Sequence, residues 1–596
     1  MKYFFNSRFY LLIFLYPDGI ENIRPWRLIY NVLSVRVFIY SFSAILFSLN
    51  YSYAQTVDIE DTWKSIKKKD LVTVHGGASA SLVYHNSNNL NSGRLPWVYN
   101  LNGNLNITFL KNFSMPVSYN LTNMGGSYRY PTFPNRLSIH PKYKWITGHI
   151  GDFTMSFSPY TFNGHMVRGG GVDILIKNKI KLSSFYGILN QAVQYDSSNL
   201  TLPAVYKRIG YGLNVLYSGA KSVAGISCLM GKDIEQSIQK LDDSLRIFPK
   251  QNIAVGIKLS HQLGNNVAVE GEYAISVTTE DARITDQINT NPSSDQRSAF
   301  KIRGSYKFLK KVVGLGYERV APGYQTMGAY YFNNDFENFT IDFTTAFFKG
   351  KTQFSAKGGL QQDNLDKSKA STTQRYIGST QISSPIGKKI QMMLSYSNFQ
   401  NYMRVRNQFD NINQNLPVSI GDSLNYIQIN HNANTSLTYL LQRSTERVQN
   451  ILLNINFQKS TNKQGGHDIA SAGVIMYNGM MGYNVNLIAS RISITAAFNA
   501  TYTRLTMNTL FYGPTLAINK RLMKDQMVLG LSTSYNRAEA ENTLQSQILN
   551  LRGNAGFTYS KRHALNTILL CQLKDQVTKG TFETDFTGTI TYSYNF

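Results

Sequence analysis

Residues 586–596, FTGTITYSYNF, decide how this chain is read. Phe586, Gly588, Ile590, Tyr592, Tyr594 and Phe596 fall on one face of an extended strand. Thr587, Thr589, Thr591, Ser593 and Asn595 fall on the other. Side chains alternate across a strand with period two, so one face is apolar and the other polar. A membrane barrel needs strands of about 9–11 residues with that alternation, apolar toward lipid, polar toward the lumen and aromatic at the interfaces. One such strand could also end a soluble sheet, so the rest of the chain must repeat the pattern.

It does so from residue 71 onward. Ile253, Val255, Ile257 and Leu259 alternate with Ala254, Gly256, Lys258 and Ser260. After the turn Gly264-Asn265-Asn266, Val267, Val269, Tyr273 and Ile275 alternate with Glu270 and Glu272. Phe300, Ile302, Tyr306 and Phe308 alternate with Lys301, Arg303, Ser305 and Lys307. Ile492, Ile494 and Phe498 alternate with Ser493, Thr495 and Asn499, and Leu549, Leu551 and Phe557 with Asn550, Arg552 and Asn554. Short turns are read at 111–114, 148–151, 177–179, 219–222, 264–266, 309–311, 349–351, 385–389, 442–445, 490–491, 521–525 and 560–564. Longer loops rich in Asn, Ser, Asp and Gly separate them, the longest being 189–204, 232–251, 278–296, 322–336 and 400–425. Short turns on one side and long loops on the other are the rhythm of an outer-membrane barrel. With both ends on the short-turn side, twelve turns imply thirteen hairpins. The expected fold is therefore an all-β, antiparallel, up-and-down transmembrane barrel of 22–26 strands, best count 26, over residues 71–596.

Composition agrees. Charged residues make up 16 % of the 596 residues, aromatics 13 %, and the mean hydropathy is −0.24, which excludes a bundle of membrane-spanning helices. The net charge is +25. It is scattered through turns and polar strand faces, with no basic helix or compact patch, so nucleic acid is not the expected partner. A surface of anionic lipid headgroups is. Cys228 and Cys571 are far apart and suggest neither a disulfide framework nor a metal site.

Arg36 precedes an apolar run from Val37 to Leu49, and Ser52-Tyr53-Ala54 precedes Gln55. A positive start, a short apolar core and a small-x-Ala site predict a secretory signal peptide cut between Ala54 and Gln55. Residues 1–34 are odd in front of it, and translation starting near Val32, Leu33 or Val35 would remove them. Residues 1–54 hold five basic and two acidic side chains, so the mature chain carries +22. Residues 55–70 are polar and read as a short periplasmic lead-in. No plug domain is expected between them and the first strand.

The most distinctive non-repetitive stretch is 145–174, WITGHIGDFTMSFSPYTFNGHMVRGGGVDI. Ser158-Pro159-Tyr160-Thr161 and Asn163-Gly164-His165 read as a compact outer loop, followed by Arg168 and three glycines, Gly169 to Gly171. Glycines in a strand mark close backbone approach or a bulge. An inward-folded loop with Asp152, Tyr160, Asn163, His165 and Arg168 would constrict the lumen or contact a partner. The loop 400–425, with Arg404 and Arg406, is the second candidate for that role. By alternation Lys258, Glu270, Glu272, Lys301, Arg303, Lys307 and Arg552 line the lumen, where every barrel is polar. Tyr592, Tyr594 and Phe596 belong to the strand that closes the barrel. This stretch, the signal peptide and the aromatic-ended terminal strand resemble the large, mostly uncharacterised outer-membrane β-barrel proteins of the Bacteroidota. The resemblance implies location and fold and transfers no catalytic residue.

Enzyme signatures are missing: the chain has no H-E-x-x-H, G-x-S-x-G or P-loop motif. A rim Ser/His pair, Ser158 with His165, is the one hydrolase-like juxtaposition. No catalytic residue, cofactor or metal is therefore assigned. The expected function is a porin-like channel, or the membrane component of a transport or secretion assembly, with a lumen occluded by loops or by a plugging or secretion partner. Outer-membrane lipid and the barrel assembly machinery are the other expected partners. The alternatives are a structural or adhesion barrel that presents outer loops, and a TonB-dependent-receptor-like uptake protein lacking a plug.

Overall fold

The computed structural model describes residues 72–88, 95–109, 113–124, 131–196, 204–284, 293–330, 332–368, 374–398, 431–460, 463–464, 467–468, 473–505 and 507–596. The expected signal peptide with its expected Ala54–Gln55 junction, the expected lead-in 55–70 and the loop 400–425 with Arg404 and Arg406 lie outside the described residues.

One continuous antiparallel sheet forms a wall that closes on itself. The last strand, Thr581–Asn595, pairs along its length with the first, Val72–Ser87, from Gly77 opposite Asn595 to Ser87 opposite Asp585. Gly76 and Phe596 exchange two backbone hydrogen bonds of 3.0 Å at the end of this seam. Closure leaves no strand edge whose backbone groups would stand unpaired in lipid, where each costs several kcal/mol. The sheet has 27 segments, two of which are halves of one interrupted strand, so the wall has 26 strands. Among the described residues, helix is confined to three-residue turns.

The interrupted strand corrects one expected turn. Gly148 and Gly151 do not reverse the chain but lie inside the strand Ile146–Ser156. The turn sits earlier, between Lys142–Tyr143 and Ile146–Ser156, with Lys144 at φ 48°. The preceding strand breaks between Arg136–Ile139 and Lys142–Tyr143, where Pro141 has no N–H to give the ladder. Gly151 adopts φ 91°, and a Cβ there would meet the Leu137 carbonyl oxygen at 2.1 Å. The Leu137 N–H turns instead to the Asp152 carboxylate, 2.9 Å away. Glycine here serves a close backbone approach, which in sequence looks the same as a turn.

The two faces of the wall differ as the alternation requires. Val255, Ile257, Leu259, Ile302, Leu315, Phe339, Ile341, Met481, Leu531 and Ile590 are large apolar side chains left exposed, and they share one face. Phe498 is 51 % exposed while its neighbour Asn499 is 5 % exposed. An apolar band around a closed barrel is a lipid-facing surface. The opposite face, toward the lumen, carries Asn, Ser, Thr and charged residues.

Beyond the strand ends, outer loops pack on one another. Val193 and Val205 bridge, and Tyr206, Ala204 and Ile238 form a small buried cluster. The Arg283 guanidinium reaches Asp243 at 3.0 Å and Asp281 at 2.8 Å and lies 4.7 Å over the Phe248 ring.

Candidate functional site: the inner wall and two inward loops

The inner face of the strands from Gln251–Leu263 to Thr352–Gln362 is a charge ladder. Cross-strand register sets Lys258 opposite Glu272, Glu272 opposite Lys301, and Lys301 opposite Glu318. One step toward the turns, Glu270 stands opposite Arg303, and Asp342 opposite Lys357. The Arg303 guanidinium holds Asp342 through bonds of 3.0 and 2.7 Å and lies 3.8 Å from Glu270. Opposite charges directly across antiparallel strands stabilise the pair, and here they neutralise the wall. Lys307 stands at the turn end of Ser294–Phe308, exposed. Arg552 lies on a different part of the wall, inward and half-buried.

A loop between Ile146–Ser156 and Asn163–Ile176 folds onto this ladder. The Ser158 hydroxyl donates to Glu272, and the Tyr160 hydroxyl donates to Glu318 at 2.7 Å. Thr161 donates to Ser227 at 2.9 Å. Phe162 is wholly buried against Phe185, their rings 4.4 Å apart, in a cluster with Phe153, Val167, Leu229 and Met327. Burial and the Glu318 carboxylate push the Tyr160 phenol above its ordinary range.

A second loop meets the first. Residues 321–335 leave the strand Lys311–Val320 and turn inward. Tyr324, wholly buried, donates its hydroxyl to the Tyr160 carbonyl at 2.7 Å. Thr326 donates to the Thr161 carbonyl at 2.5 Å, and Phe162 forms a parallel bridge with Gly328. The Met327 N–H donates to Asn252 at 3.1 Å, and Ser276 donates to the Gln325 carbonyl at 2.5 Å. A Cβ on Gly328 would stand 2.2 Å from the Thr161 carbonyl oxygen, so only glycine permits the contact. The two loops are thus a hydrogen-bonded pair with an apolar centre, anchored on the charged wall.

The sequence motif 145–174 divides in the structure. Tyr160 belongs to the inward loop. Asn163 is exposed at the strand start, and its N–H donates to the Gly328 carbonyl at 2.9 Å. His165 is buried, stacks on Tyr330 at 4.0 Å and directs Nδ1 to the Met166 carbonyl. It does not pair with Ser158, which serves Glu272, so the hydrolase-like juxtaposition is absent. Asp152 and Arg168 pair at 2.7 Å on the face opposite Phe153 and Val167. Arg168 also covers the Phe133 ring at 3.8 Å. They tie the interrupted strand to the wall rather than constrict the lumen. Sequence reasoning missed Glu318, Asp342 and Lys357 in the ladder and read 322–336 as a long outer loop without its inward docking. The available signal was Tyr324, Tyr330, Tyr331 and Phe332, aromatic residues crowded into a stretch that otherwise reads as a polar outer loop. Among the described residues, no group of three or more His, Cys, Asp or Glu side chains is placed to hold a metal ion. Cys228 and Cys571 are free thiols.

No family model matches the chain, and no curated protein does. Solved structures do. The translocation pore of the P pilus usher PapC is similar at 9 % identity and a TM-score of 0.32, covering 88 % of this chain and all of the usher pore. The FrpB iron transporter from Neisseria meningitidis is similar at 10 % identity and a TM-score of 0.34, over 90 % of this chain and 84 % of FrpB. OccAB3 of Acinetobacter baumannii is similar at 8 % identity and a TM-score of 0.28, over 63 % of this chain and 98 % of OccAB3. The likeness is loose and does not go beyond a large antiparallel barrel wall.

Proposed function

We propose that this chain is an outer-membrane barrel of the Bacteroidota type that serves as a channel or as the membrane component of a transport or secretion assembly. Its lumen is narrowed from within by its own loops, and a plugging or secretion partner completes the closure. In this reading a signal peptide cut at Ala54–Gln55 exports the chain, and the barrel assembly machinery inserts it into the outer membrane. The observation that carries the reading is the loop pair 157–162 and 321–335 docked inside a closed wall whose other face is apolar and exposed. A wall of 16–18 strands already encloses an aqueous channel, so a wider one left empty would breach the membrane. Filling part of it is the expected solution. The residues proposed to act are Ser158 with Glu272 and Tyr160 with Glu318 for docking, and Lys258, Glu270, Lys301 and Arg303 for the neutral wall beneath.

Single-channel recording in planar bilayers tests this. The intact protein should show small or intermittent conductance, and deletion of residues 324–332 should raise it. A steady, very large conductance from the intact protein would refute occlusion and favour a general porin. A pulldown from detergent-solubilised outer membrane tests the partner. A second reading, an adhesion barrel, draws on the packed rim around Tyr206, Ile238 and Arg283. It predicts a partner that binds the rim and leaves conductance unchanged.

A further inference from the structure

We infer that the cargo is a neutral, hydroxyl-rich solute of the oligosaccharide class, carried along the wall opposite in character to the charge ladder. This rests on the channel reading above. The docking contacts of the two loops fall mainly on strands between Ile146 and Val320, with Phe336 of the next strand packed against the Tyr160–Tyr324 cluster. The strands from His431–Arg443 onward, through the seam, present a different inner face. Asn434, Asn456 and Asn478 stand side by side in register across three strands. Asn478 donates to Thr501 at 2.7 Å, Asn499 to Thr515 at 3.3 Å, and Gln572 to Asn550 at 2.9 Å. Across the seam, Asn102, Asn104 and Asn106 are exposed at alternate positions of one strand, and Ser79 donates to Asn102 at 2.6 Å. Among the described residues, Arg552 is the one charge on the mid-wall of this face between His431 and Thr558, and nearer the seam Lys574, Glu583 and Asp585 share the face, Lys574 and Glu583 3.6 Å apart. Arg552 borders a recess shared with Asn519, Asp525, Ser532, Asn554, Thr558 and Asn566, where Asp525 lies 3.5 Å from Arg491.

Each Asn offers two donors and an acceptor in one plane, and a sugar hydroxyl both donates and accepts. Such bonds exchange with water at little net cost, which suits passage rather than capture. A polypeptide or an anionic polymer would bring more charge than Arg552, Lys574, Glu583 and Asp585 can compensate along this face, and uncompensated charge in a confined, partly dehydrated space is costly. The ladder that could compensate them is already neutralised by its own pairs and partly covered by the docked loops.

The test uses the purified full chain and its 324–332 deletion, with maltohexaose as the neutral probe and an oligo-arginine peptide as the charged one. Maltohexaose should block current reversibly, and saturation-transfer NMR on the detergent-solubilised protein should detect its contact. The double substitution Asn102→Ala/Asn104→Ala should weaken both by about tenfold, the worth of one to two net hydrogen bonds. Lys310→Ala, on a short turn off the inner face, should leave both unchanged. Conductance without any sugar effect, sugar effects unmoved by the asparagine substitutions, or stronger block by the peptide would each overturn the inference. No conductance in either protein, even with an asparagine-dependent NMR contact, would refute the channel reading and the cargo inference that rests on it.

Discussion

Two arcs of one wall solve the same problem differently. The arc from Gln251 to Gln362 lines its inner face with Lys258, Glu270, Glu272, Lys301, Arg303, Glu318, Asp342 and Lys357, paired across strands. The arc from His431 through the seam uses asparagine, serine and threonine. Both satisfy the requirement for polarity toward the lumen. They differ in what they can hold. Carboxylates at fixed positions accept hydrogen bonds that a loop can donate, and Glu272 and Glu318 take those of Ser158 and Tyr160. Charge-assisted bonds of that kind are about twice as strong as neutral ones. The amide arc has fewer carboxylates, with Glu583 and Asp585 near the seam, and offers a mainly neutral surface for transient contacts. Charge placement on a barrel wall thus decides which side is filled by the protein itself.

The largest test of the comparison removes what both arcs share. Deleting Tyr594–Phe596 cuts the seam at Gly77–Asn595 and Gly76–Phe596. No folded barrel should accumulate, and the band that resists unfolding on unheated gels should vanish. Normal levels of folded truncated protein would show that the seam is dispensable.

The next test separates the two faces within the amide arc. Phe498→Arg puts a charge into the lipid-facing band and should cost about 2–4 kcal/mol near the midplane. Asn499→Arg points inward and should be tolerated better. Urea titration of the two variants in lipid vesicles reads the difference, and equal costs would mean that the register is displaced by one residue.

Gly328→Val attacks the charged arc's loop pair. The new side chain overlaps the Thr161 carbonyl and Leu229, so the loop 321–335 should undock. Conductance and protease cleavage within 321–335 should both rise while the barrel still forms. Tyr324→Phe removes only the bond to the Tyr160 carbonyl and should act in the same direction, by about 1 kcal/mol. If neither variant changes cleavage, the loops are not held by each other.

Asp342→Asn should shift ion selectivity modestly toward anions, because it leaves Arg303 and Lys357 in excess on the charged arc. Asn550→Ala, on the amide arc, should not. Reversal potentials in a salt gradient distinguish the arcs, and equal shifts would mean that ions do not sample the charged wall.

The smallest expected effect lies at the rim above the charged arc. Hydrogen bonds from Arg283 hold the Asp281 carboxyl below its ordinary value. A depressed carboxyl pKa contributes stability that is present above the unfolded value, 3.8, and is lost as pH falls through the lower folded value. Proteolysis of the 281–283 segment should therefore rise only below about pH 4, and Arg283→Ala should raise it at neutral pH. A loss of protection between pH 7 and 5 would point to a different group.

The sequence by itself determined the class of wall, its faces and nearly all of its turns. Strand alternation is a local property with period two, so Phe498 against Asn499, or Lys258 against Ile257, can be assigned from neighbours alone. Strand number followed, because short turns recur at intervals set by the thickness of a membrane. Register pairs such as Lys258 with Glu272 followed in part, since Gly264-Asn265-Asn266 fixes that hairpin. Three things were decided only by tertiary structure. Gly148 and Gly151 carry the signature of a turn, yet Gly151 marks a close backbone approach to Leu137 and Gly148 lies against Pro141, at which the neighbouring strand is broken. Asp152 and Arg168 sit next to an inward loop in sequence but on the other face of the wall in space. The docking of 157–162 on 321–335 joins segments more than 150 residues apart through Tyr160, Thr161, Tyr324 and Gly328. No periodicity records such a contact, because it depends on which strands the closed wall brings to face one another, and closure is a property of the whole chain.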